Sequence, residues 1–286
     1  MTFQDIITEL RIFWGKENCI IGEGFDIEVG AGTMSPLTFF GVLGEKPYRV
    51  AYIQPSRRPQ DGRYGDNPNR LYKHHQFQVI LKPPPDDIVK IYINSLGKLG
   101  IKEEEHDIRF VEDNWESPTL GAWGVGWEIW CDGMEITQFT YFQQAGGIDL
   151  SPISVEITYG LERIALFLQK KGSIFEILWN DDIKYKDLRL KEEKEMCSYS
   201  FEEADIEKLR TIFDFYENEA EKILSKNLII PSYEFCLKLS HIFNVLDARG
   251  AFGVTERTQY ITRIRSIANR CASLYLKEKN GKEPTD

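Results

Sequence analysis

Residues 155–169 read Val-Glu-Ile-Thr-Tyr-Gly-Leu-Glu-Arg-Ile-Ala-Leu-Phe-Leu-Gln. This stretch constrains the fold more than any other, because its periodicity changes at one point. A β-branched and aromatic run ends at Tyr159 and Gly160, and an apolar helical pattern starts at once, with Leu161, Ile164, Ala165 and Leu168 on one face. A sheet strand must therefore feed directly into a helix. Arg163 falls in the first turn of that helix, where free backbone N–H groups and the helix dipole already favour anions. A guanidinium there reads either as a solvated side chain or as a partner for a bound anion. An arginine cluster and an acidic, tryptophan-rich block upstream favour the anion.

Elsewhere the pattern predicts an antiparallel sheet with flanking helices. Residues 3–18 read as a helix with Phe3, Ile6, Ile7, Leu10 and Phe13 on one side, and 19–48 as irregular, broken by Pro36 and Pro47. Short β-like runs at 49–54 and 75–81 bracket a polar loop, and a helix is expected over 86–99. Further strands are expected at 107–111, 126–131 and 136–142, mostly joined as hairpins, so the class is α+β. From about residue 200 helical periodicity dominates, at 202–226, 231–247 and 255–277. The expected division is a core over 1–175 and a smaller helical domain over 176–286.

The polar loop carries Arg57, Arg58, Arg63 and Arg70 among glycines and prolines. Arginines between paired strands fork onto phosphate oxygens; a solvated basic loop is the alternative, and it is weaker in a chain of net charge −10. Phe77, on the returning strand, reads either as core or as a platform for a purine, with Gln76 and Gln78 on the opposite face. The adjacent His74 and His75 do not make a metal site, since neighbours on a strand point to opposite sides. The block from Glu112 to Gln138 gathers Trp115, Trp123, Trp127 and several carboxylates among glycines. Carboxylates beside phosphates hold Mg²⁺. Neither a Rossmann fingerprint nor a Walker A sequence occurs.

The same charge argues against a protein that coats nucleic acid through bulk electrostatics. Five scattered cysteines, none in a CxxC pair, fit a reducing cytoplasm. No apolar run is long enough for a membrane span, and no secretory signal is expected at the N-terminus.

Together these stretches resemble the class II aminoacyl-tRNA synthetases, and specifically the glycyl-tRNA synthetase α-subunit family. The resemblance runs along nearly the whole chain. It is carried by Gln-Pro-Ser-Arg-Arg-Pro-x-Asp-Gly-Arg-Tyr-Gly-x-Asn-Pro-Asn-Arg at 54–70, Asp-Ile-Arg-Phe-Val-Glu-Asp-Asn-Trp-Glu-Ser-Pro at 107–118, and Asp-Gly-Met-Glu-Ile-Thr-Gln-Phe-Thr-Tyr-Phe-Gln-Gln at 132–144. The resemblance implies a class II sheet, and Pro36 as the end of motif one near a dimer interface. It implies Arg57 as the motif-two contact to the α-phosphate and Phe77 as the ring stacked on adenine. Arg163 is implied as the motif-three contact to the γ-phosphate, and Glu135 as the ATP and Mg²⁺ carboxylate. The alanyl-tRNA synthetase core is similar too, and by that likeness Glu156 holds the substrate ammonium and Trp115 lines the amino-acid pocket. Gln76, Gln78 and Thr158 are expected beside them. The sequence departs from the class II pattern at Pro59, where motif two has an acid.

The implied activity is ATP-dependent activation of glycine, then transfer to tRNA(Gly) together with a separate β subunit. The implied assembly is an α homodimer within an α2β2 tetramer in the cytoplasm, with no membrane. Two other readings stay open: an adenylating enzyme that loads something other than tRNA, and a non-catalytic binding module.

Overall fold

The computed structural model describes residues 1–279 and residue 281; the last positions of the expected helical domain, 280 and 282–286, lie outside the described residues. Helix α1 (Phe3–Lys16) starts at a capping box, in which the Thr2 hydroxyl accepts from the Asp5 N–H and Asp5 Oδ2 accepts from the Thr2 N–H at 2.8 Å. Such a cap contributes about 1 kcal/mol, so Thr2→Ala would loosen the first turn.

A seven-stranded sheet follows, with strands β1 (Ile20–Gly22), β2 (Tyr48–Arg57), β3 (Lys73–Lys82), β4 (Ile108–Ser117), β5 (Ala122–Cys131), β6 (Met134–Ala145) and β7 (Ile148–Gly160). Their spatial order is β1-β2-β3-β7-β6-β5-β4; β1 and β2 are parallel and all other neighbours antiparallel. The β5–β6 hairpin turns at Asp132 and Gly133, both at positive φ, the backbone that a tight two-residue turn requires. Gly126 is needed where β5 meets β6, since a Cβ there would lie 1.9 Å from the Phe139 carbonyl.

Alternation divides the residues of the sheet between two cores. One face carries Phe77, Val79, Ile157 and Tyr159 and is buried under α1, α3 (Ile88–Lys98) and α4 (Leu161–Leu168). On the other face Val50, Tyr52, Ile80 and Phe142 share a core with the short helix α2 (Pro36–Phe39) and with the C-terminal helices α6 (Ile206–Leu224), α7 (Ile229–Ala248) and α8 (Val254–Lys279). The latter helices thus cover one end of this face; its other end is open and forms the site described below.

Sequence periodicity missed several features, β1 within the run read as irregular among them. Strand β2 continues through Pro55 to Arg57, and its last residues pair with β3. Helix α5 (Tyr185–Ser198) lies inside the expected helical domain but ahead of the helices singled out there; its sequence is so charged that no apolar stripe announces it, and only Tyr185, Glu193 and Cys197 are buried.

Candidate active site

The open end of the sheet holds a cavity of about 360 Å³, within the usual range for small-molecule sites. Its floor is built by register. Gln76, Gln78 and Ile80 of β3 pair with Gly160, Thr158 and Glu156 of β7. Thr158 and Glu156 in turn pair with Gln138 and Thr140 of β6, so these polar side chains share one face. The strand-to-helix junction at Gly160 then carries Glu162 and Arg163 to the cavity wall.

The inner end is polar and buried. Glu156 is only 2% exposed. It accepts from the Thr33 hydroxyl at 2.8 Å and from the Gln78 side-chain amide. Gln78 in turn accepts from the Thr158 hydroxyl at 2.8 Å. Burial raises the Glu156 carboxyl to about 8, partly offset by the Thr33 bond, and among the described residues it forms no ion pair. A cation brought against it would lower it again and favour the charged form. The 3₁₀ turn Gly32–Met34 closes this end: the Gly32 N–H donates to Gln76 Oε1 at 2.7 Å. Trp115 forms part of the wall and meets Phe142 edge to face.

The outer end is charged. Arg58, Arg70, His74 and Arg163 line it together with Glu135 and Asp61. Arg163 Nη1 lies 2.5 Å from Glu135 Oε2 in a half-exposed ion pair. Arg58 Nε donates to the Gly30 carbonyl at 3.0 Å. Burial, with Arg58 and Arg163 nearby, holds His74 well below the ordinary histidine range, so its ring is neutral at pH 7. Three guanidiniums, of Arg58, Arg70 and Arg163, thus line one end of the cavity among the carboxylates of Asp61, Glu135 and Glu162, a mixed set that can fork onto phosphate oxygens and hold a cation beside them.

The structure brings Arg163, Glu135, Glu156, Trp115, Gln76 and Thr158 together around one cavity, with Gln78 directly beneath as a bridge. It does not bring Arg57 or Phe77 there. The Arg57 guanidinium lies 3.6 Å from Glu28, outside the cavity lining, and the neighbouring Arg58 lines the cavity instead. Alternation is the cause: Ser56, which donates to Gln76, sits on the cavity side, and Arg58 follows it by two. Phe77 is fully buried opposite Tyr159 in the other core and has no surface for a purine. Strand β3 presents His74 and Gln76 to the cavity instead.

Glu162, Thr33 and Gln138 also line the cavity and were not singled out from the sequence. Glu162 is 3% exposed and receives the His75 backbone N–H, the His75 ring and the Tyr185 hydroxyl. A Glu-Arg pair opening a helix was the available signal for it. Thr33 and Gln138 gave none, because one lies in an irregular loop and the other on a strand of mixed polarity.

The glycyl-tRNA synthetase alpha subunit family model matches residues 3–280. The chain is 59% identical over 283 residues to the glycine–tRNA ligase alpha subunit of Coprothermobacter proteolyticus, covering 99% of this chain and 97% of that one. Among solved structures, the pyrrolysyl-tRNA synthetase of Desulfitobacterium hafniense superposes with a TM-score of 0.45 at 11% identity, over 63% of this chain and 72% of that one. A second structure of that enzyme gives 0.44 at 10% identity, over 64% and 75%.

Proposed function

The chain belongs to the glycyl-tRNA synthetase alpha subunit family and so to the aminoacyl-tRNA synthetases, and from that premise we propose that its cavity activates glycine with ATP. The observation that carries this reading is the polarity of the site: at one end a buried carboxyl, Glu156, that has hydrogen-bond donors but no ion-pair partner among the described residues, and at the other the guanidiniums of Arg58, Arg70 and Arg163. Glycine is the smallest zwitterion that needs both a carboxylate for its ammonium and room for its own carboxylate beside a phosphate.

In this reading Glu156 takes the glycine ammonium, with Thr33 and Gln78 fixing the carboxylate that receives it. The substrate carboxylate oxygen attacks the α-phosphorus of ATP; the bond to the bridging oxygen breaks, and pyrophosphate leaves with its electron pair. Arg58 and Arg163 hold the phosphates and offset the charge that builds on them. No protein nucleophile takes part; positioning and charge stabilisation do the work. With the contact on Arg58 the position two residues on is Gln60, and Asp61, which lines the cavity one residue later, is assigned the place of the missing acid. The contact that was expected of Arg57 is assigned to Arg58, and Phe77 is left as core.

Mg²⁺ fits the donor set. The ion pair engages Oε2 of Glu135 and leaves Oε1 as an oxygen ligand, and one or two carboxylates plus phosphate oxygens are what this ion requires. When bound it would neutralise phosphate charge.

Discrimination against larger amino acids is steric. Trp115 and the Gly32–Met34 turn wall the inner end, and a wall rejects a methyl more sharply than attraction favours its absence. Transfer of the glycyl group to tRNA(Gly), the separate β subunit, the α homodimer and a cytoplasmic setting belong to the same proposal. The β subunit is assigned to the C-terminal helices, where Ile212, Phe215, Leu228 and Ile230 stay exposed.

The test is amino-acid-dependent ATP–pyrophosphate exchange by the purified chain, alone and with its β subunit, comparing glycine, alanine and serine. Exchange with glycine alone, lost in Arg163→Ala, is expected. Absence of exchange in both preparations would overturn the catalytic reading in favour of a binding module.

A further inference from the structure

The wall of the inner end is held from two directions by buried tyrosines. The Tyr52 hydroxyl, on the sheet, donates to the Gly32 carbonyl at 2.9 Å and is itself 2.6 Å from the Thr38 hydroxyl. The Tyr233 hydroxyl, on α7, donates to the Met34 carbonyl at 2.8 Å. Both rings are fully buried. Tyr233 also stacks on Phe39 at 4.4 Å, with the planes 12° apart, and meets Phe40 edge to face. Between these anchors lie the groups that touch the inner end: the Gly32 N–H on Gln76 and the Thr33 hydroxyl on Glu156.

The turn has no slack. Its own backbone bonds close it, Met34 N–H to the Ala31 carbonyl and Ser35 N–H to the Gly32 carbonyl, both at 3.0 Å. A Cβ on Gly32 would lie 2.6 Å from Gln78 Oε1, so the backbone already touches the glutamine that supports Glu156. A shift of a few tenths of an ångström at Met34 therefore moves Thr33 relative to Glu156.

We propose that Tyr233 is a positioning residue for the amino-acid end of the cavity, and that the C-terminal helices thereby set the geometry in which glycine is held. The proposal rests on the reading of the cavity as a glycine-activating site. Tyr233 acts through the Met34 carbonyl and touches no reacting atom. It lies far along the chain from the turn it holds, and its effect falls on one substrate. The phosphate end, built by Arg58 and Arg163, does not depend on it.

Tyr233→Phe removes the hydroxyl and keeps the stacked ring. In the full chain assembled with its β subunit, the expected result is a KM for glycine raised about five- to tenfold, the scale of one buried hydrogen bond, with the KM for ATP and kcat within twofold. Amide hydrogen exchange, measured without any substrate, is expected to quicken at least tenfold at residues 32–35 while β3 and β7 keep their protection. Tyr275→Phe, which alters a ring against Phe40 with no bond to the turn, is expected to change neither. Unchanged exchange at 32–35 would overturn the proposal. So would a general loss of protection across the sheet with both KM values rising together, since that is the signature of scaffold damage. Failure of the wild-type chain to catalyse glycine-dependent exchange would instead count against the catalytic reading, and the amide exchange would still decide whether Tyr233 positions the turn.

Discussion

Glu162 accepts the backbone N–H of His75 with both carboxylate oxygens, at 2.9 and 3.0 Å, and so ties the helix that carries Arg163 to the strand that carries His74 and Gln76. The His75 ring at 2.7 Å and the Tyr185 hydroxyl at 2.9 Å, the latter from outside the sheet, are two further partners. Glu162→Gln keeps the volume but offers one acceptor where two are used, and turns an amide N–H₂ toward donors. Hydrogen bonds to a charged group contribute about 1.5–3 kcal/mol. The variant is expected to unfold at lower urea with an unchanged m-value, and to lose exchange activity as well. Wild-type stability would show that the His75 backbone finds another acceptor.

Arg58 and Arg57 are adjacent, and only Arg58 lines the cavity. Arg58→Ala is therefore expected to lower glycine-dependent exchange about 10²- to 10³-fold, the usual scale for a lost charge-stabilising donor. Arg57→Ala, which breaks an ion pair with Glu28, is expected to cost less than tenfold. Kinetics on both single variants decide between them. The reverse order would return the phosphate contact to Arg57.

The Glu156 carboxyl titrates near 8 in the folded chain against 4.5 for the ordinary group. The folded state thus holds a proton that the unfolded state has released, so this group's contribution to stability falls as pH rises from 4.5 through 8. Glu156→Gln removes that dependence. In the absence of glycine, the variant is expected to melt close to wild type at pH 5 and several degrees above it at pH 8.5. A difference in Tm that stays constant with pH would refute the assignment. The same variant is expected to lose glycine-dependent exchange, since its amide cannot pair with an ammonium.

The contrast between Arg58 and Arg57 also shows how far the sequence could be read. Strand β7 running into α4 was legible, because the period changes from two to 3.6 at Gly160. Glu156, Thr158 and Arg163 lie on that segment, and all three line the cavity. Which of the adjacent arginines lines the cavity was not legible because β2 was expected to stop at Gln54; followed to Arg57, its alternation puts Ser56 on the cavity side and Arg58 next after it. Phe77 was misread for the opposite reason. Its face was predictable, opposite Gln76 and Gln78, but an expected aromatic platform outweighed alternation. Thr33 was illegible, since its place depends on contacts with Glu156 across 123 residues of chain.

The exposed apolar side chains of the C-terminal helices give the β-subunit assignment a direct test. Phe215 is 59% exposed and Ile212 is exposed one turn before it on α6, and Leu228 and Ile230 are exposed where α7 begins. Phe215→Ser and Ile230→Ser remove apolar surface without opening a core. Each is expected to weaken association with the β subunit at least tenfold by sedimentation or calorimetry, with the melting temperature of the isolated α chain unchanged. Unaltered association in the double variant would move the contact elsewhere.

Gly32 gives the sharpest test of the inner end. A methyl there would sit 2.6 Å from Gln78 Oε1 and 2.8 Å from its Cδ. Gln78 cannot swing aside cheaply: it is fully buried, donates to Glu156 and accepts from Thr158. Relief must come from the turn, which would move Thr33 off Glu156 and pull the Gly32 N–H from Gln76. Gly32→Ala is therefore expected to raise the KM for glycine by more than tenfold. ATP binding, set by guanidiniums at the far end, should change by less than threefold in equilibrium titration. Equal losses for both substrates would mean that the two ends are not independent, and that the inner wall also shapes the phosphate end.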